Sequence, residues 1–208
     1  MSYIEQLKQS IIKNGISEND TIPKELETPE FLIEVVKKHG EVLHLVPKEM
    51  RTPEMCWLAV KNNGLALNYV PEEMKTPEMY AEAVKSNGKA LRNVPEDMKT
   101  PEMCREAVKN DIEAFGYVPE DMKTKKICLE TFKNNRGAFI YVPKKVETLE
   151  FYLEAVKNYG VSLGNVPKKM RTPEMCWIAI KNDGKDLYYV PEDMKTPEMC
   201  REAVKNNG

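Results

Sequence analysis

No apolar run in this sequence approaches the roughly 18 to 20 residues of a membrane-spanning helix. Nor does charge of one sign dominate: 31 Lys and Arg stand against 33 Asp and Glu, a net charge of −2. There is thus no global field to draw in nucleic acid or an anionic membrane. Histidine occurs twice only, as His39 and His44. Neither pairs with a cysteine or serine in a catalytic spacing, and no C-x-x-C or H-x-x-x-H pattern exists. The five cysteines are odd in number and evenly spaced, which suits a reducing compartment better than a disulfide framework. The N-terminus MSYIEQLKQSIIKNG lacks the basic start and unbroken apolar stretch of a secretory signal, and it reads as an amphipathic helix. The cytoplasm is the expected location. Secretion as an effector by a specialised system, which needs no such signal, stays open. With 41% hydrophobic and 31% charged residues, the composition is globular.

What is present is a repeat. An aliphatic-Pro pair recurs at Ile22-Pro23, Val46-Pro47, Val70-Pro71, Val94-Pro95, Val118-Pro119, Val142-Pro143, Val166-Pro167 and Val190-Pro191. Six residues after each opening comes a threonine: Thr28, Thr52, Thr76, Thr100, Thr124, Thr148, Thr172 and Thr196. The step is 24 residues throughout, with seven complete units and an eighth that runs to Gly208. A fixed period of this length marks a solenoid. The unit reads V-P-x-x-M-K-T-P-E-M-C-x-E-A-V-K-N-N-G-x-A-L-x-x.

Each position has a physical meaning. Threonine at position 7 is a helix N-cap, and proline at position 8 suits the first turn, where its missing N–H costs nothing. Glutamate at position 9 complements the helix dipole. Glycine at position 19 is expected to close the helix in the left-handed conformation. Positions 10, 11, 14, 15 and 18 share one face and form the expected buried stripe. The rest of the unit is too short for a second full helix around a proline, so one short α or 3-10 turn is expected there. A single unit cannot bury its stripe alone, so units must stack. The fold class is all-α: an α-solenoid of about eight 24-residue repeats, each one long helix plus one short α or 3-10 helix. Residues 1–21 form an N-terminal capping helix, and residues 22–208 one continuous solenoid.

The run Ala83-Val84-Lys85-Ser86-Asn87-Gly88, followed by Leu91 and Val94-Pro95, resembles the repeats of a bacterial family catalogued as domain of unknown function 4116. The resemblance extends from about Thr21 to Gly208. It implies stacked helical repeats and carries no activity with it. The period is also similar to that of the leucine-rich-repeat variant architecture, in which α and 3-10 helices alternate, a likeness of fold alone.

Met-Cys pairs at 55–56, 103–104, 175–176 and 199–200 could offer soft ligands to a metal. They sit on the expected stripe, however, where both residues serve as hydrophobes. No metal or other cofactor is expected. Catalysis needs a unique constellation, which a chain of near-copies dilutes, so an enzyme is not expected either. Glu–Lys pairs such as Glu106 and Lys109 read as a solvated face.

The departures from consensus say more. Position 12 is Trp57 and Trp177 in repeats two and seven, but Ala81, Arg105, Leu129, Leu153 and Arg201 in others. The same two tryptophan repeats carry Leu58 and Ile178 where glutamate is usual, and the segment from Val46 resembles that from Val166, as in a duplicated block. The tryptophans either fill gaps between helices or anchor a partner. Tyrosine recurs at position 24 as Tyr69, Tyr117, Tyr141 and Tyr189, with Tyr188 beside the last; these rings serve structure, a partner or both. In repeats four and five, Ile112 and Arg136 replace the capping glycine, Gly137 falls one residue late, and Lys125-Lys126 replace Pro-Glu. A bend or an irregular helix end is expected there.

These features point to a protein- or peptide-binding scaffold, with Trp57, Tyr69, Arg105, Tyr117, Tyr141, Trp177, Tyr188 and Tyr189 as contact residues. The rival reading is a rigid spacer with no ligand; a degenerate enzyme or nucleic-acid binder is a third, against which the charge balance argues. Self-association through the C-terminal repeat is a further expectation.

Overall fold

A computed structural model describes residues 3–16, 21–134 and 136–207, with side chains throughout except at 133–134, 136–138 and 207. Among the described residues there is no strand. The α-helices are α1 (Tyr3–Asn14), α2 (Pro29–Lys38), α3 (Pro53–Asn62), α4 (Pro77–Ser86), α5 (Pro101–Asn110), α6 (Lys125–Asn134), α7 (Leu149–Tyr159), α8 (Pro173–Asn182) and α9 (Pro197–Asn207). The chain is an all-α solenoid of repeats. It divides into two compact units, 1–118 and 119–208.

Every repeat helix begins as the sequence requires. The threonine hydroxyl accepts a hydrogen bond from the N–H three residues on, at 3.2 to 3.4 Å, in all eight repeats. Such a cap contributes about 1 kcal/mol. α6 starts in the same way with Lys125-Lys126 in place of Pro-Glu, since the cap and not the proline sets the boundary.

The second half of a regular repeat forms two 3-10 segments. In repeat two they are Lys48–Met50 before α3 and Gly64–Tyr69 after it. The proline at position 2 separates each six-residue segment from the three-residue segment of the next repeat: its fixed φ holds an extended residue between two turns, with ψ 137 at Pro47 and 141 at Pro71. In the first unit, α1 to α5 lie each against the next, and the six-residue 3-10 segments stack likewise in a second layer. In the second unit, α6 to α9 stack the same way.

From α2 to α8 the core is positions 10, 11, 14 and 15 of each helix, with Met103 half-buried, together with positions 1, 21 and 22. Phe31, Leu32, Val35 and Val36 in α2, and Met55, Cys56, Ala59 and Val60 in α3, are all buried. Between α6 and α7 the core is aromatic, with Phe132, Phe139, Phe151 and Tyr152 packed ring on ring.

Position 18 departs from the expected stripe. Asn63, Asn87, Asp111 and Asp183 are extended, and each side chain accepts from the N–H two residues on, capping the following 3-10 segment. A short polar side chain there competes for backbone groups better than it packs.

The glycine at position 19 also departs from expectation. Among the described residues only Gly15 and Gly160 have positive φ; Gly40, Gly64, Gly88 and Gly184 do not. A Cβ added at any of these four would fall well within 3.0 Å of a backbone carbonyl one repeat on, that of Ala59, Ala83, Ala107 or Ala203. These glycines allow close approach of two backbones. Ile112 at the equivalent place leaves the local conformation regular, with the 3-10 segment Ile112–Tyr117 intact, because no left-handed residue was needed. The expectation for Arg136 and Gly137 concerns side chains outside the described ones.

Repeat six is the exception. α7 runs one residue longer and ends on left-handed Gly160, and its 3-10 segment shrinks to Leu163–Asn165. Asp186, where alanine is usual, repairs the deficit: its Oδ1 accepts from Ser162 Oγ at 2.5 Å and from Leu163 N at 3.2 Å. Burial pushes this carboxyl above its ordinary range, and the two donors hold it partly back. A raised folded-state pKa means that stability is lost as pH rises through it. Asp186→Asn keeps an acceptor oxygen without the charge. It is expected to unfold at higher denaturant than the wild type at pH 7 and to match it below the ordinary Asp pKa of about 3.9. Urea titrations across pH check this.

Candidate functional site

The nominated residues are accessible but fall in two places. Trp57, Arg105 and Trp177 lie on α-helices. Trp57 is 37% exposed, and Trp177 is half-buried with the Lys181 ammonium 5.2 Å from its ring centroid. Arg105 pairs with Glu102 on its own helix. A shallow groove between α4 and α5, lined by Ala81 at the tryptophan position and by Val84, Met103 and Glu106, shows what this face offers. The tyrosines instead end the six-residue 3-10 segments. Tyr69, Tyr117 and Tyr189 are each about two-fifths exposed and Tyr188 is 83% exposed, while Tyr141 is half-buried.

On the tyrosine edge of the first unit the lining is polar. Between repeats two and three lies a cleft of about 390 Å³. Lys48, Arg51, Asn68, Tyr69, Pro71, Glu72 and Glu73 line it. Arg51 builds it: its Nε donates to Val46 O at 2.9 Å, one terminal nitrogen to Tyr69 O at 2.5 Å and the other to His44 O at 3.4 Å. The guanidinium fork thus ties the start of the repeat to its end. The Tyr69 ring rests on His44, centroids 5.3 Å apart. Glu72 is occupied by Lys75 at 2.7 Å, which holds its carboxyl below the usual range. Lys48, Asn68 and Glu73 make no hydrogen bond or ion pair among the described residues, and all three are exposed.

Sequence reasoning nominated Tyr69 and missed Arg51. The signal was available: position 6 is lysine in four of the eight repeats, glutamate in two, and arginine only in the two tryptophan repeats, at Arg51 and Arg171. It also missed position 17. Asn62 donates to Lys37 O and Lys38 O and accepts from Gly40 N, and Asn110, Asn182 and Asn206 likewise bond helix-end carbonyls one repeat back. These side chains cap the neighbouring helix, a task invisible within one repeat.

The cysteines are core residues except one. Cys56, Cys104, Cys128 and Cys176 are buried and Cys200 is exposed. Burial raises the thiols of Cys56 and Cys176 and pushes that of Cys128 up to about 11, so at neutral pH these are neutral hydrophobes. Among the described residues no group of three or more His, Cys, Asp or Glu could hold a metal ion. No described helix is long and apolar enough to cross a membrane.

The family described as Domain of unknown function (DUF4116) matches residues 28–75, 52–99, 76–123, 100–147, 148–195 and 172–208. The chain belongs to this family. Each full DUF4116 match spans two repeats and begins at a capping threonine, so the family's unit holds one complete junction: the glycine, the following alanine and the asparagine cap. No curated protein and no solved structure matches the chain.

Proposed function

We propose that this DUF4116 chain is a protein- or peptide-binding scaffold of the cytoplasm, with no catalytic role and no cofactor. One observation carries the reading. The core closes without Trp57, Trp177 and the position-24 tyrosines, which stay accessible although tryptophan is on average among the most buried residues. Accessible aromatic side chains on a rigid repeat surface are what partner recognition uses. The raised, buried thiols and the lack of any histidine cluster fit a binding role better than a chemical one. On α9, Cys200 is exposed and Val204 is 67% exposed, whereas their equivalents in α3 are buried. This favours the further proposal that the last helix face takes part in self-association.

The test is affinity capture from host lysate with the wild type and with Trp57→Ala/Trp177→Ala, partners being identified by mass spectrometry. A partner held by the first and lost by an equally helical second is the expected result. No specific partner would favour the spacer reading.

A further inference from the structure

We infer that the chain carries two related ligand clefts, one opening on repeat two and one on repeat seven, each taking a short extended peptide segment with one acidic and one basic side chain. This rests on the scaffold reading and specifies its ligand.

The first cleft is the one built by Arg51. Its unpaired groups define the ligand. Lys48 offers a cation and Glu73 an anion in the lining of one cleft, which the Asn68 amide and the Tyr69 ring share. An amide and an aromatic ring in one cleft suit a peptide backbone and an apolar stem, and free charges of both signs select a segment that carries both. The volume lies within the roughly 300–1,000 Å³ of ordinary ligand sites.

The second cleft follows from the same clamp. Arg171 Nε donates to Val166 O at 2.9 Å, and a terminal nitrogen to Tyr189 O at 2.5 Å, the same two distances that Arg51 shows. Lys168 stands where Lys48 does and Asp193 where Glu73 does, and both side chains are exposed and unpaired among the described residues; Tyr188 stands where Asn68 does, so a second ring edge-on to Tyr189 replaces the amide. The Tyr189 ring packs on the preceding repeat, close enough that a Cβ on Gly164 would meet it at 2.9 Å, as Tyr69 packs on His44. Of the eight repeats, only these two combine lysine at position 3 with arginine at position 6. Elsewhere position 3 is a glutamate bonded to the position-6 lysine, or a lysine followed by glutamate as in Lys24/Glu27 and Lys144/Glu147.

The experiment is a nitrogen-15 NMR titration of the full chain with three capped peptides of equal length: Glu-Pro-Lys, Glu-Pro-Glu and Lys-Pro-Lys, each repeated three times. Proline keeps them extended. The mixed-charge peptide is expected to shift the amides of residues 68–73 and 188–193, at two peptides per chain and at least tenfold more tightly than either single-charge peptide. Lys48→Glu should abolish the first set of shifts only, and Lys168→Glu the second only. Both lysines are exposed and unpaired, so the fold stays intact. Equal binding of a single-charge peptide, one site per chain, or no shifts with the mixed-charge peptide would each overturn the inference. A lysate partner that depends on Trp57 and Trp177 but is retained by Lys48→Glu/Lys168→Glu would remove the paired clefts and leave the scaffold standing.

Discussion

Gly64→Ala is expected to destabilise the protein by about 3 kcal/mol, the upper end of overpacking costs, although glycine-to-alanine normally stabilises a helical segment. The added methyl would collide with Ala83 O and crowd Asn87 N. Both are backbone atoms of the next repeat, so no rotamer change relieves the clash. α4 would have to move away from the 3-10 segment Gly64–Tyr69, stretching the bond from Gly64 N to Ser86 Oγ, now 3.1 Å. Gly116→Ala is the control. Its φ is not positive and its Cβ would meet nothing within 4 Å, so it should gain about 0.4–1 kcal/mol from a less flexible unfolded chain. Paired urea denaturation measures the contrast. Equal effects at the two positions would show that the four junction glycines are not there for close approach.

Phe151→Ala should cost more, about 3–5 kcal/mol. The ring is fully buried and meets Phe132 at 6.0 Å, Phe139 at 5.9 Å and Tyr152 at 5.6 Å between centroids. Three aromatic neighbours of fixed shape collapse poorly into the space it leaves. In a repeat array each unit is stabilised mainly by its neighbours, so the loss should be local. Hydrogen exchange should show reduced protection through α6, α7 and α8, with α3 and α4 close to wild type. Uniform loss along the chain would mean that the array unfolds as one block.

Legibility from sequence followed the range of the interaction. The threonine caps depend on residues three apart, and all eight were readable. So was the stripe at positions 10, 11, 14 and 15, because its period belongs to one helix. The reason for glycine at position 19 was not. A left-handed cap and a close backbone approach require the same residue, and only the position of the next repeat separates them. The asparagines at position 17 were opaque for the same cause, since Asn62 caps a helix 24 residues earlier. At the candidate site, Tyr69 stood out because tyrosine recurs at position 24, whereas nothing within one repeat marks Arg51. Its fork reaches three carbonyls from residues 44, 46 and 69, a geometry that a lysine cannot reproduce.

The glycine-to-alanine contact also sets how such a chain can change length. The junctions at Gly40, Gly64, Gly88 and Gly184 share one lock and key, so a block bounded by two of them and spliced in at another meets a compatible neighbour at both ends. Additions of 24 residues, or multiples of it, leave each of these glycines opposite its alanine. An insertion of one or two residues anywhere between them pulls the pair out of register and presses a larger residue against a carbonyl. The chain is therefore extensible by whole modules and brittle to small indels, the reverse of what ordinary loops allow. The likeness of the segments beginning at Val46 and Val166, five modules apart, is the trace that growth of this kind leaves behind.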